Sequence, residues 1–196
     1  MEWITTSTIL TDLADFTNRQ AWERFVHRFR DPIGRFGRQM GLSEADAEEA
    51  AQDTLLAFAE SFRNGQYDRA KGRLSRWLFG IAYRQLLARR RSAFRRRSVA
   101  LQTEESGFLD QIPGEADAQQ WWEQEWEQAM LELCLHRVRQ EVEPPTMRAF
   151  ELVMRGGRTP AEAAKELGIP TKAVYNAKFR VLKRLRALRR EIEETL

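Results

Sequence analysis

Cysteine is almost absent from this 196-residue sequence: Cys134 stands alone, which excludes an internal disulfide framework. With only His27 and His136 beside it, the chain is short of the ligands of a structural metal site, and neither a metal nor any other cofactor is expected. Proline and glycine are sparse, at 6 and 11. Ala, Leu, Glu, Gln and Arg dominate instead, a balance that favours helix over strand. No run approaches the ~18 apolar residues of a membrane span, and the N-terminus lacks the basic-then-apolar pattern of a secretory signal. The expectation is a cytoplasmic chain with no membrane insertion. No activated nucleophile, acid/base pair or ligand cluster stands out, so an enzyme is not expected.

What the sequence has in abundance is charge, at 31 % of residues, and it is unevenly placed. The net charge of +3 conceals an acidic stretch over 1–62 and a block over 63–97 with twelve basic residues and one acidic. Residues 98–136 then carry nine acidic residues and no basic one, and 137–196 are basic again. Lysine supplies only five of the 32 cations. Two separate basic blocks, each beside an acidic one, suit two docking places for a polyanion such as nucleic acid. Solvated basic helices are the plainer alternative.

Periodicity predicts an all-α protein of two small helical domains. Trp22, Phe25, Val26, Phe29, Ile33 and Phe36 form one apolar helical face, with Pro32 and Gly34 placed to bend or divide it. Ser43 with Asp46 three residues on reads as a helix start. The helix that follows, to about Phe62, turns Ala47, Ala50, Ala51, Leu55, Phe58 and Phe62 inward. A further helix carries Leu74, Trp77, Leu78 and Ile81 on one side and ends in Arg89-Arg90-Arg91 and Arg95-Arg96-Arg97. Residues 98–120 lose the helical period and hold Gly107, Pro113 and Gly114; they read as a flexible acidic linker. The expected division is therefore 1–97, linker 98–120, and 121–196.

The sharpest local signal lies near the C-terminus. Thr159-Pro160-Ala161-Glu162 places an N-cap hydroxyl, a proline at the first helical position and a glutamate at the third. Ala163 and Ala164 permit a close helix crossing, Gly168 suits the turn, and a second helix begins near Lys172. That is the pattern of a helix-turn-helix. Its second helix offers Lys172, Tyr175, Asn176, Phe179, Arg180 and Lys183 as candidate DNA readers, with base contacts near the helix start and phosphate contacts along its basic flank. An ordinary helical hairpin with a solvated basic face remains the alternative.

Two other patterns are less specific. In 63–97 the aromatics Tyr67, Trp77, Phe79, Tyr83 and Phe94 interleave with the cations, a mixture suited to unpaired DNA; Trp77 lies on the apolar stripe, where a core role is favoured. On the helix over 43–62, Asp46, Glu49 and Asp53, flanked by Glu48, Gln52 and Glu60, form an acidic ridge opposite the alanine face. A solvated face is the commonest explanation for such a ridge.

In order and spacing these parts resemble the extracytoplasmic-function sigma factors, and the resemblance covers nearly the whole chain. Glu44-Ala45-Asp46-Ala47-Glu48-Glu49-Ala50-Ala51-Gln52-Asp53 is similar to the family's acidic helix. The resemblance implies that Asp46, Glu48, Glu49, Gln52 and Asp53 grip the β′ clamp of core RNA polymerase, with the β flap as a second polymerase contact. Tyr67 to Ala82 is similar to the loop and helix that melt and read the −10 element, which implies DNA roles for Arg69, Lys71, Arg73, Arg76, Tyr83 and Arg84. Ala161 to Arg186 resembles the −35 helix-turn-helix. Tyr83-Arg84 stands where the family often has Arg-Asn, and Ala88 where an acidic residue is common; both bear on which −10 bases are preferred. Family members are often held by an anti-sigma protein. The implied function is to direct core polymerase to promoter DNA and help open it. A stand-alone DNA-binding regulator is the runner-up, and an RNA-binding adaptor the third reading. The stretch Trp121 to Trp126 fits none of these motifs.

Overall fold

In the computed structural model, residues 6–101 and 113–193 are described, and they are all-helical, with no strand among them. The chain divides into two compact units, the first running Thr6–Ala129 and the second beginning at Met130.

The first unit holds α1 (Thr6–Ala14), α2 (Arg19–Gln39), α3 (Glu44–Arg63), a 3-10 turn at Arg69–Lys71, α4 (Leu74–Leu101) and the first half of α5 (Glu115–Glu141). Asn18 caps α2 by accepting from the Ala21 amide at 3.1 Å, and Ser43 caps α3 by accepting from the Asp46 amide at 3.1 Å, each satisfying an otherwise orphan donor of the first turn. α2 runs unbroken through Pro32, which is buried. Its inner face is Ala21, Phe25, Phe29, Ile33 and Phe36, while Val26, expected inside, is 39 % exposed. α3 packs against both α2 and α4. The α2–α3–α4 crossing is close because Gly37 has no side chain: a Cβ there would lie 2.9 Å from Leu86 Cδ2 and 3.2 Å from Ala47 Cβ.

Aromatic rings fill this unit. Phe25 and Phe58 stack at 4.3 Å between centroids, and Trp77 tilts against Phe58 at 5.1 Å and against Tyr67 at 5.0 Å. The unassigned tryptophan stretch also finds its place here. Trp122 is 1 % exposed, packs edge-on to Phe36 at 5.6 Å, and its Nε1 donates to the Ser75 carbonyl at 3.0 Å. Trp126 stacks on Phe29 at 5.1 Å. Between them the buried Glu125 accepts from Arg35 at 2.6 Å and from Gln39 at 3.2 Å, so its charge is compensated.

These contacts change the expected boundaries. Residues 121–129 belong to the first unit, because two large rings and a part-buried ion pair hold them there, and the division falls inside α5 rather than at 120. The flexible linker expected over 98–120 is helical where it is described: α4 continues to Leu101 and α5 begins at Glu115. Residues 102–112 lie outside the described residues.

The second unit contains the rest of α5, then α6 (Pro144–Met154), α7 (Pro160–Leu167) and α8 (Thr171–Glu193). Pro144-Pro145 open α6, where missing amides cost nothing. α8 packs on α6 and α7 through small side chains: Ala149, Leu152, Ala163, Ala164, Val174 and Ala177 form one buried cluster. Glu141 of α5 accepts from Arg184 of α8 at 2.6 and 3.1 Å, and that bond, with help from Arg137, holds its carboxyl below the usual range.

Candidate functional site

The α7–α8 pair has the local chemistry its sequence requires. The Thr159 hydroxyl accepts from the Glu162 amide at 3.3 Å, and the Glu162 carboxylate accepts from the Thr159 amide at 2.8 Å, a complete capping box. The Thr159 amide most, and then the Thr159 hydroxyl donating to the same carboxylate at 2.8 Å, lower the Glu162 pKa. α7 ends at Gly168 with φ 65 and ψ 30, a left-handed conformation that glycine adopts without steric cost. The chain re-enters helix at Thr171.

α8 then presents two faces. Val174, Ala177, Val181, Leu185 and Leu188 are buried. Lys172, Tyr175, Asn176, Phe179, Arg180 and Lys183 are all exposed, at positions i, i+3, i+4, i+7, i+8 and i+11. The structure thus brings the six residues singled out from the sequence onto one face. Tyr175 is 58 % and Phe179 66 % exposed, and among the described residues no ion pair is seen at Lys172, Arg180 or Lys183. Two uncovered rings between cations, with one amide side chain, suit a polyanion that also offers base edges and methyl groups. By contrast Arg184 is turned inward to Glu141 and Glu191, and its pKa is raised by the bond to Glu141.

No protein-family model matches the chain, and no curated protein matches it.

The region over 66–84 is more mixed. The Asp68 side chain accepts from the Ala70 amide at 2.9 Å and caps the 3-10 turn, while Lys71 pairs with Asp68 at 3.6 Å. Arg69, Lys71, Arg73, Arg76 and Arg84 are exposed, and Tyr83 is half-buried, its ring stacked on Phe79 at 5.4 Å. The aromatics interleaved with these cations mostly turn inward. Tyr67 lies against Phe62 and Trp77, and burial raises its pKa; Phe79 is buried. The surface of this segment is therefore chiefly cationic.

The α3 ridge differs most from its expectation. Asp46 accepts from Arg96 at 2.8 Å and from the Ser43 hydroxyl at 2.7 Å. Arg89 bridges Glu49 and Asp53, the latter at 2.6 Å, and its pKa is raised, first by that bond to Asp53. Glu48 pairs with Arg30 of α2. Only Gln52 of the five is without an ion pair, as an amide must be. The ridge is not simply a solvated face: α4 supplies its counter-charges. Asp46 and Asp53 are seven residues apart on α3, Arg89 and Arg96 seven apart on α4, and the pairing runs in opposite order. Two turns on antiparallel helices match two turns.

A surface groove of about 520 Å³ is lined by Trp22, Glu23, Val26, His27, Arg30, Asp31 and Glu48; its mixed lining offers no convergent set of reactive groups. Among the described residues no group of three His, Cys, Asp or Glu side chains could hold a metal ion. No described helix is long and apolar enough to cross a membrane.

Proposed function

We propose that this protein is a sigma-type transcription initiation factor of the extracytoplasmic-function kind, which lends promoter recognition to bacterial core RNA polymerase in the cytoplasm and performs no catalysis of its own. The observation that carries the reading is the exposed α8 face of a capped, tightly crossed helix pair, with Tyr175, Asn176, Phe179 and Arg180 at its centre. On this reading α8 enters the major groove of the −35 element, with Asn176 and Arg180 at base edges and Lys172 and Lys183 on phosphates. The cations Arg69, Lys71, Arg73, Arg76 and Arg84, with Tyr83 beside them, meet the −10 region. Opening is then differential binding: contacts stronger to the separated strands than to the duplex shift the equilibrium toward the open state. The α3 face takes the polymerase β′ clamp, the second unit the β flap, and an anti-sigma protein is a natural restraint on either.

Run-off transcription with purified core polymerase on a genomic fragment library tests this. Discrete transcripts that depend on the protein are expected; none would overturn the reading. One observation favours a second reading, a stand-alone DNA-binding regulator. The acids of α3 already have partners within the fold, so their presence does not require polymerase. Such a regulator would bind a defined duplex and leave core polymerase unprogrammed.

A further inference from the structure

The cations of α4 and the acids of α3 neutralise each other across a surface where both are reachable by solvent. Side-chain exposures are 61 % for Glu49, 46 % for Asp53 and 57 % for Arg96, against 23 % for Arg89 and 20 % for Asp46. Pairs this exposed are weak individually and screened by salt, so they exchange partners readily. They also belong to the two surfaces to which the proposed function assigns opposite partners. Arg89 and Arg96 lie in the basic block, on the same helix as the exposed Arg84, Arg91 and Arg95. Asp46, Glu49 and Asp53 form the face read as docking on polymerase.

We propose that Arg89 and Arg96 form a charge lock on the α3 face: a basic protein surface docking there displaces them, and once displaced they are available to DNA phosphate. This rests on the reading of α3 as the polymerase-binding face and adds its regulation. The two sets of cations cannot both neutralise three carboxylates, so the arginines compete with the incoming partner. Linkage makes the effect reciprocal. DNA that captures Arg89 and Arg96 uncovers the face and strengthens partner binding by the same factor with which the partner strengthens DNA binding. A free chain is thereby muted toward both ligands, and each ligand readies it for the other.

The test separates pairing from net charge. Arg89→Gln with Arg96→Gln is compared with Arg91→Gln and Arg95→Gln, which removes the same charge from exposed positions of the same helix. In titrations of core RNA polymerase at low salt, the first variant is expected to bind roughly three- to ten-fold more tightly than its reference, the scale of a few exposed pairs. With the protein alone and a random-sequence duplex, Glu49→Gln with Asp53→Asn is expected to bind roughly three- to ten-fold more tightly than Glu23→Gln with Asp31→Asn on α2. Helicity and thermal midpoint are measured for every variant, and Arg96→Gln alone serves if the double variant unfolds. Either lock variant matching its reference overturns the lock. Parent protein that never binds core polymerase overturns the polymerase reading itself, whereas parent binding with lock variants equal to their references removes the lock alone.

Discussion

The two units solve opposite problems with the same helical vocabulary. In the first, bulky rings make the core and the charged faces of α3 and α4 satisfy each other. In the second, small side chains bring α6, α7 and α8 together, and the outer face of α8 is left with two bare rings and uncompensated cations. A surface whose charges are already matched gains little from a ligand until the matches are exchanged. A surface left unmatched is ready to bind at once. The contrast leaves the α8 face of the second unit open to a ligand, while the α3 face of the first is conditioned by its own counter-charges.

The largest expected effect tests the contrast in the cores. Trp122→Ala should cost the first unit about 3–5 kcal/mol, because a buried indole and its packing are lost together. The measurement is denaturant unfolding, and Trp122→Phe should recover only part of that loss, since it leaves a void where the indole's second ring packed and lacks the bond to the Ser75 carbonyl. In the second unit the vulnerable direction is reversed: Ala163→Leu should cost about 1–3 kcal/mol by overpacking. If Trp122→Ala were harmless, residues 121–129 would not be part of the first core.

The contrast in the surfaces is sharpened next. Asn176→Ala and Arg180→Ala should each weaken binding to a −35 duplex by about 1–3 kcal/mol, with unchanged helicity because both side chains are exposed. Electrophoretic mobility shifts report the affinity and circular dichroism the fold. Equal binding and equal sequence preference for both variants would leave α8 an ordinary solvated helix.

Smaller effects probe the entry to α7. Thr159→Ala should lower stability by about 1 kcal/mol, the value of an N-cap hydroxyl. Glu162 adds a pH dependence of defined sign. Its folded pKa is lowered by the Thr159 amide and hydroxyl, so its contribution is present above the ordinary glutamate value of about 4.3 and is lost as pH falls through the folded value. Thermal midpoints of parent and Glu162→Gln should therefore differ at pH 7 and converge in acid. A gap that widens in acid would contradict the capping box.

Much of the second unit was legible in the sequence because its determinants are local. A hydroxyl, a proline and a glutamate within four residues specify the start of α7, Gly168 specifies its end, and the period of α8 assigns its faces. The helices of the first unit were legible for the same reason, down to the buried face of α3. What escaped the sequence was pairing at a distance. Trp122 meets Ser75 across 47 residues and Arg89 meets Asp53 across 36, and no window of helical periodicity reaches that far. The tryptophan stretch therefore read as motifless, and the acids of α3 as a ridge without internal purpose. Compositional cues erred in a related way at 115–120, where acidic, weakly periodic residues begin a helix because its later turns are anchored by Trp122 and Trp126.

Gly37 gives the fold a point of asymmetry in its tolerance of change. A Cβ at position 37 would crowd Leu86 Cδ2 at 2.9 Å, which a turn of that side chain relieves, and Ala47 Cβ at 3.2 Å, which must give by a few tenths of an ångström, so larger side chains there press α2 off its neighbours, whereas α8 could exchange its outer residues without disturbing a neighbour. In a library of all single substitutions, large side chains at position 37 would be recorded as lost protein. Position 176, exposed on α8, would be recorded as protein of normal abundance. A lineage of such chains could therefore vary the outer face of α8 while the crossing at position 37 stays narrow.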